Sequence, residues 1–304
     1  MSKKILFFGN ERLATGVETK AQVFSGLIQA GYEIKALIVS GKLDKDTEKL
    51  EVVKIAKANN IEVESYKNLK ESANGIADFG VKAAVLAAYG KIVPKEILDL
   101  FELGIINIHP SLLPKHRGPT PIESTILNGE TEAGVSLMRL GVAMDSGSIY
   151  KQQSIKLTGN ETKQDLVDTL DSLGRDMLLD CLDSILSGDL DPTDQSSDGV
   201  TYDKLITKED GIIDWNKSWS QIDRQIRAYS IWPRTRCRVS NLEIIVIRAH
   251  FEGQTGEPGK HINQDGSLGI YCADGLVIVD ELIPAGSKQM SGENFLLGYN
   301  QQIF

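Results

Sequence analysis

The first 110 residues alternate between two hydrophobic patterns, and that alternation restricts the fold more than any other feature. "KILFFGN" is a nearly unbroken apolar run ending in Gly9 and Asn10. "VFSGLIQAGY" then places Val23, Phe24, Leu27 and Ile28 at helical spacing, with Gly31 as its C-cap. "EIKALIVS" is a second apolar run. "KLEVVKIAKANN" turns Val52, Val53, Ile55 and Ala56 to one side and stops near Asn60. "KAAVLAAYG" and "GIINIH" are two more apolar runs. Strands that are apolar throughout, separated by amphipathic helices, belong to a mostly parallel sheet covered on both faces, so a Rossmann-like α/β fold is expected. "AGVSLMRL" and "GSIYKQQSIKL" leave no room for a crossover helix between them and suit an antiparallel ribbon at the sheet edge. Thr158 and Glu161 spell a capping box ahead of a long helix whose apolar stripe runs from Leu166 to Ile185.

After residue 188 the pattern breaks. "DLDPTDQSSDGVTYD" has no periodicity and reads as a linker over residues 189–206. "LEIIVIRAH", "GSLGIYCAD" and "GLVIVDELIPA" are short strands between glycine turns, which suggests a small β-barrel over residues 207–304. With 304 residues, two domains are the ordinary expectation, the first spanning 1–188. A net charge of −9 gives no bulk attraction for nucleic acid, so any such partner has to be met locally. Cys181, Cys237 and Cys272 are an odd number and far apart, which fits a reducing cytoplasm. The basic start "MSKKILFFG" is too short for a signal peptide, and no run is long enough for a membrane span. His109, His116, His250 and His261 show no ligand-like spacing, so no metal is expected.

The chemistry concentrates in "INIHPSLLPKHRGPTPIESTILNG", residues 106–129. Asn107 and His109 lie two apart on an apolar strand and so face one side at its end. In doubly wound folds ligands bind beyond the carboxyl ends of strands. Asp145 sits on the turn between the two edge strands. An amide donor, an imidazole and a carboxylate together suit acyl transfer to an amine. The same residues also suit a plain reading, a structural histidine and a turn aspartate that holds its own backbone. "GNERLATG" lacks the glycine spacing of a dinucleotide site and the Gly-Lys-Ser/Thr of a phosphate loop. Six arginines, Arg224, Arg227, Arg234, Arg236, Arg238 and Arg248, fall within residues 224–248 beside a single acid, Glu243. They form either a phosphate-binding patch or a solvated face. Lys115 and Arg117 either reach a nucleic-acid end or cap their loop.

The run "INIHPSLLPKHRGPTPIESTILNG" followed by "GVSLMRLGVAMDSGSIY" resembles the signature region of the folate-dependent formyltransferases. "LAAYGKIVP", "TYDKLITKEDGIIDW", "IRAYSIWPRT" and "IPAGSKQMSGENFLLG" extend the resemblance over most of the chain. It implies Asn107, His109 and Asp145 as the catalytic triplet, with 10-formyltetrahydrofolate as formyl donor. Tyr89, Gly90, Ser111, Leu112, Leu113, Pro114, Gly141 and Val142 would then line the folate site. The acceptor implied is the α-amine of methionyl-tRNA, contacted by Lys115, Arg117, Arg224, Arg227, Arg234 and Arg236 from a monomer with an OB-like second domain. An amino-sugar nucleotide acceptor and a non-catalytic RNA-binding module are the alternatives. The chain departs from the family pattern in "FFGNERL", which lacks the usual proline turn. It departs again in "SGKLDKDTEKLE", where acids offset the lysines of a loop that is usually basic and glycine-rich.

Overall fold

The computed structural model describes residues 3–303. They form two compact units. The first comprises residues through Ile122 with Thr131–Thr158 and Gln164–Leu205; the second comprises Glu123–Glu130, Gly159–Lys163 and the chain from Ile206 on.

Within the first unit the apolar runs are strands β1 (Lys4–Gly9), β2 (Glu33–Ile38), β3 (Glu62–Glu64), β4 (Ala83–Ala87) and β5 (Gly104–His109). The edge ribbon is β6 (Glu132–Arg139) and β7 (Ile149–Lys156). The sheet order is β3-β2-β1-β4-β5-β6-β7, parallel through β5 and antiparallel beyond it. From β1 the chain first builds outward to β3, then returns to the other side of β1 with β4. That reversal is where open α/β sheets leave a crevice at their strand ends. Strands β4 and β5 are buried at every position, as expected of strands with both faces covered. The connecting helices are α1 (Gln22–Gln29), α2 (Glu51–Ala58), α3 (Ala73–Ala77), α4 (Lys95–Leu98) and α5 (Pro121–Asn128).

The long helix α6 (Lys163–Ser187) begins four residues later than the capping box suggests. The Glu161 carboxylate accepts from the Gly159 N–H (3.0 Å). The Lys163 ammonium is completely buried between a Glu123 carboxylate oxygen (3.1 Å) and the Trp232 carbonyl (2.8 Å).

In the second unit, helix α7 (Trp219–Ala228) opens with a capping box between Ser218 and Gln221. Strands β8 (Arg236–Val239), β9 (Leu242–Glu252), β10 (His261–Gln264), β11 (Ser267–Tyr271) and β12 (Leu276–Pro284) form one antiparallel sheet in the order β10-β11-β12-β9-β8. The short β13 (Met290–Ser291) pairs with β12, and α8 (Gly292–Ile303) follows. Irregular register between β9 and β12 near Val279 and Glu281 lets the sheet curl. Ser240 beyond β8 approaches His261 on β10 at 3.3 Å, yet the two edge strands do not pair. The expected barrel is therefore a half-barrel, filled by Val239, Ile244, Val246, Leu268, Val279 and Phe295. Among the described residues no helix is long and apolar enough to cross a membrane.

Candidate active site

Ile108 faces helix α6, where a Cβ on Gly174 would lie only 2.7 Å from the Ile108 methyl. Asn107 and His109 consequently point to the other side of β5. Both are buried. His109 Nε2 lies 2.9 Å from the His116 carbonyl. A carbonyl only accepts, so Nε2 carries the hydrogen and Nδ1 is the atom turned toward Asp145 Oδ1, at 3.9 Å. Among the described residues the Asn107 side-chain amide makes no hydrogen bond and is available to a ligand.

Asp145 arrives by an indirect path. Arg139, at the end of β6, is opposite Ile106. The loop over residues 140–148 must therefore run back along β5 for Asp145 to reach His109. Two unusual backbone positions permit this. Asp145 adopts φ +46°, and a Cβ on Gly147 would lie only 1.8 Å from the Arg139 carbonyl oxygen. The other Asp145 oxygen accepts from the Gly118 N–H at 2.8 Å.

The "SLLP" run is held from beneath. Ser136 donates to the Ser111 carbonyl (2.6 Å) and accepts from the Leu113 N–H (3.1 Å). Gln152 donates to the Leu113 carbonyl at 2.8 Å. Ser111 and Leu113 are buried, while Leu112 and Pro114 are half-buried. Gly141 is half-buried and Val142 is 67% exposed, at the start of the returning loop. Gly90 (φ +72°) borders open space. Tyr89 is different. Its ring packs edge-on to Phe8, its hydroxyl is buried without a hydrogen-bond partner, and burial pushes its pKa up. Only the backbone at Tyr89 is in a position to meet a ligand.

The segment expected as a linker is instead woven into the first unit. Thr193 bridges Ile149, Arg117 bridges Tyr202, and the Thr120 hydroxyl donates to the Lys204 carbonyl. Asp203 approaches His116 Nδ1 with both oxygens at 3.1 Å, and the Thr201 hydroxyl accepts from the His116 N–H at 2.7 Å. These contacts fix the carbonyl that holds His109. Sequence reading missed Gln195, Thr201 and Asp203 because their stretch is polar and aperiodic.

The arginines fall into two groups. Arg117 is buried, and its guanidinium donates to the Gln195 amide oxygen (2.7 and 3.2 Å) and the Tyr202 hydroxyl (3.1 Å). Arg227 pairs with Asp223 and donates to the Glu161 carbonyl, both at 2.9 Å. Arg224 reaches the Asn128 carbonyl at 3.4 Å. These three, expected as tRNA contacts, are engaged in internal bonds. Arg234 and Arg238 are exposed, Arg236 is half-buried, and Lys115 is exposed. Arg234 has φ +68° and stands outside β8, so the extended side expected for 234, 236 and 238 comprises only the last two.

An open cavity of about 710 Å³ lies beyond β3 and β4, with Tyr66, Lys67, Lys70, Lys91 and Ile92 among its walls. Among the described residues no group of three or more His, Cys, Asp or Glu side chains could hold a metal ion.

A family model described as formyl transferase matches residues 21–182, and its C-terminal domain model matches residues 205–300. The methionyl-tRNA formyltransferase of Enterococcus faecalis is 31% identical over 310 residues, covering 99% of this chain and 97% of that one. That of Roseiflexus castenholzii is 36% identical over 226 residues, covering 73% and 72%. Among solved structures, an N-formyltransferase from Helicobacter canadensis in complex with folinic acid and dTDP-3-aminofucose superposes with a TM-score of 0.67. It is 19% identical and covers 95% of this chain and 100% of that one.

Proposed function

We propose, from the premise that the chain belongs to the formyl transferase family, that it moves a formyl group from 10-formyltetrahydrofolate to the α-amine of methionyl-tRNA. The observation that carries the acceptor is the relative matched along both units, at 31% identity over 99% of this chain. A folate donor is supported by the folinic acid bound to the Helicobacter canadensis protein. The open cavity is compatible with it, since Lys67 and Lys91 in its wall suit the donor's carboxylates, whereas Lys70 is paired with Glu96 at 2.6 Å.

The triplet supplies what amine formylation needs. Asn107 offers its amide hydrogen to the formyl oxygen as negative charge gathers there. His109 is held through Nε2 by the His116 carbonyl, which leaves Nδ1 to exchange a proton at the reacting centre. Asp145 faces that nitrogen and steadies positive charge on the ring. The attacking amine loses one proton and the donor nitrogen gains one, so the residues only have to relay it. No covalent enzyme intermediate is involved.

An amino-sugar nucleotide is the second reading. It is favoured by the whole-length structural likeness to the Helicobacter canadensis protein, which is bound to such a compound. The deciding experiment gives purified protein the donor with either acceptor. Formylated methionyl-tRNA is the expected product, and formylation of the sugar nucleotide alone would replace the first reading with the second. Asn107→Ala should keep its melting temperature and lose about 100-fold or more in kcat. A loss under about threefold would remove Asn107 from the chemistry.

A further inference from the structure

We infer that Gln195 is a positioning residue for Asp145, a role that rests on the catalytic reading of the triplet. A side-chain amide has two hydrogens to give and two lone pairs to receive with. Gln195 uses all four at one place. Its Nε2 donates to the Asp145 carbonyl and to the Gly147 carbonyl, each at 2.8 Å. Its Oε1 receives Arg117 Nη2 at 2.7 Å and Nε at 3.2 Å.

The two carbonyls bracket Ser146, at the point where the returning loop must hold Asp145 at φ +46°. The loop has little else to hold it there. Val142 and Met144 are 67% and 53% exposed, so apolar burial does not anchor the hairpin. Its internal ties are two bonds to the Ala143 carbonyl, from the Ser146 hydroxyl (3.0 Å) and the Ser146 N–H (3.4 Å), and the closing bond from Arg139 to Ser148 (2.8 Å). Arg117 immediately precedes Gly118, whose N–H holds the Asp145 carboxylate. One amide therefore ties together the loop that carries Asp145 and the loop that receives it. Gln195 acts on the reaction only through where it holds Asp145.

The test uses the full chain and three variants, Gln195→Ala, Gln195→Glu and Asp145→Ala, with Gln195→Glu also made in the Asp145→Ala background. Glutamate keeps the acceptor for Arg117 and strengthens that pair, but it brings no hydrogen to the two carbonyls. Gln195→Glu should melt close to the parent while its kcat falls at least about tenfold, with both KM values within about twofold. Gln195→Ala should lose as much kcat and melt lower. In the Asp145→Ala background, Gln195→Glu should cost no further activity, because the residue it positions is gone. If Gln195→Glu keeps parental kcat, the amide is only a fastener and the inference fails. An equal further loss in the Asp145→Ala background overturns it too, by showing an effect that bypasses Asp145. A parent that formylates neither acceptor would instead refute the proposed function.

Discussion

Gly118→Ala tests whether the backbone, and not only the side chains, builds this site. Gly118 has φ +116°, and a Cβ there would lie 2.8 Å from the Asp203 carbonyl oxygen. Its N–H donates to an Asp145 carboxylate oxygen at 2.8 Å. The backbone strain alone costs about 1–3 kcal/mol. Displacing Asp203, which pairs with His116, adds about 1–3 kcal/mol of overpacking. Losing a bond to a charged acceptor is worth roughly 1.5–3 kcal/mol, or about 10- to 150-fold in kcat if it is lost fully in the transition state. Gly31→Ala is the matched control, because Gly31 has φ +80° with nothing within 4 Å of the methyl the substitution adds. It should cost only about 1–2 kcal/mol and leave kcat alone. Thermal melts and steady-state rates on both variants give the answer. If Gly118→Ala melts with Gly31→Ala and turns over within about threefold of the parent, the Gly118–Asp145 bond does not organise the site.

Three further outcomes are expected. Glu11 is completely buried at the α1 N-terminus, and burial, with Asp171 nearby, pushes its pKa up to about 8. The native state then holds a proton that the unfolded chain has released, so stability should fall with rising pH, by up to roughly 1.4 kcal/mol per unit between about pH 6.5 and 8. Asp171, raised to about 6, acts mostly below that window. Denaturant titrations of Glu11→Gln with the parental slope across it would refute the assignment. Lys163→Met should destabilise by about 3–5 kcal/mol, because it removes the ammonium paired with the buried Glu123 carboxylate, whereas Lys163→Met with Glu123→Leu should recover most of the loss in chemical denaturation. Reversing the exposed Arg234 and Arg238 to Glu should raise the KM for methionyl-tRNA and flatten its salt dependence, leaving the donor KM unchanged; an unchanged tRNA KM would place the grip elsewhere.

The parts of this protein legible in its sequence are those that act through periodicity or through its violation. The largely apolar strands β1, β2, β4 and β5 announce a covered parallel sheet because burial of both faces leaves few polar positions. Asn107 and His109 then stand out as polar residues where that pattern forbids them, and the structure brings His109 Nδ1 to 3.9 Å from an Asp145 carboxylate oxygen. The rest is written in backbone geometry. How far Asp145 reaches depends on the register of Arg139 against Ile106, which composition does not reveal. Gln195 finds its partners in two carbonyl groups, and every residue has one, so no side-chain pattern marks the meeting. Charge misleads for a related reason. Arginine is ordinarily exposed, so Arg117 and Arg227 read as surface cations. Arg117 becomes a structural donor only when a distant segment brings Gln195 and Tyr202 to it, and Arg227 adds the distant Glu161 carbonyl to its i,i+4 pair with Asp223. A side chain whose partner is 78 residues away, as Gln195 is from Arg117, is visible to folding physics but not to any local window of sequence. The bonds that hold Asp145 in place, from Gly118 and Gln195, are of this long-range kind, while Asn107 and His109 are signalled locally on one strand.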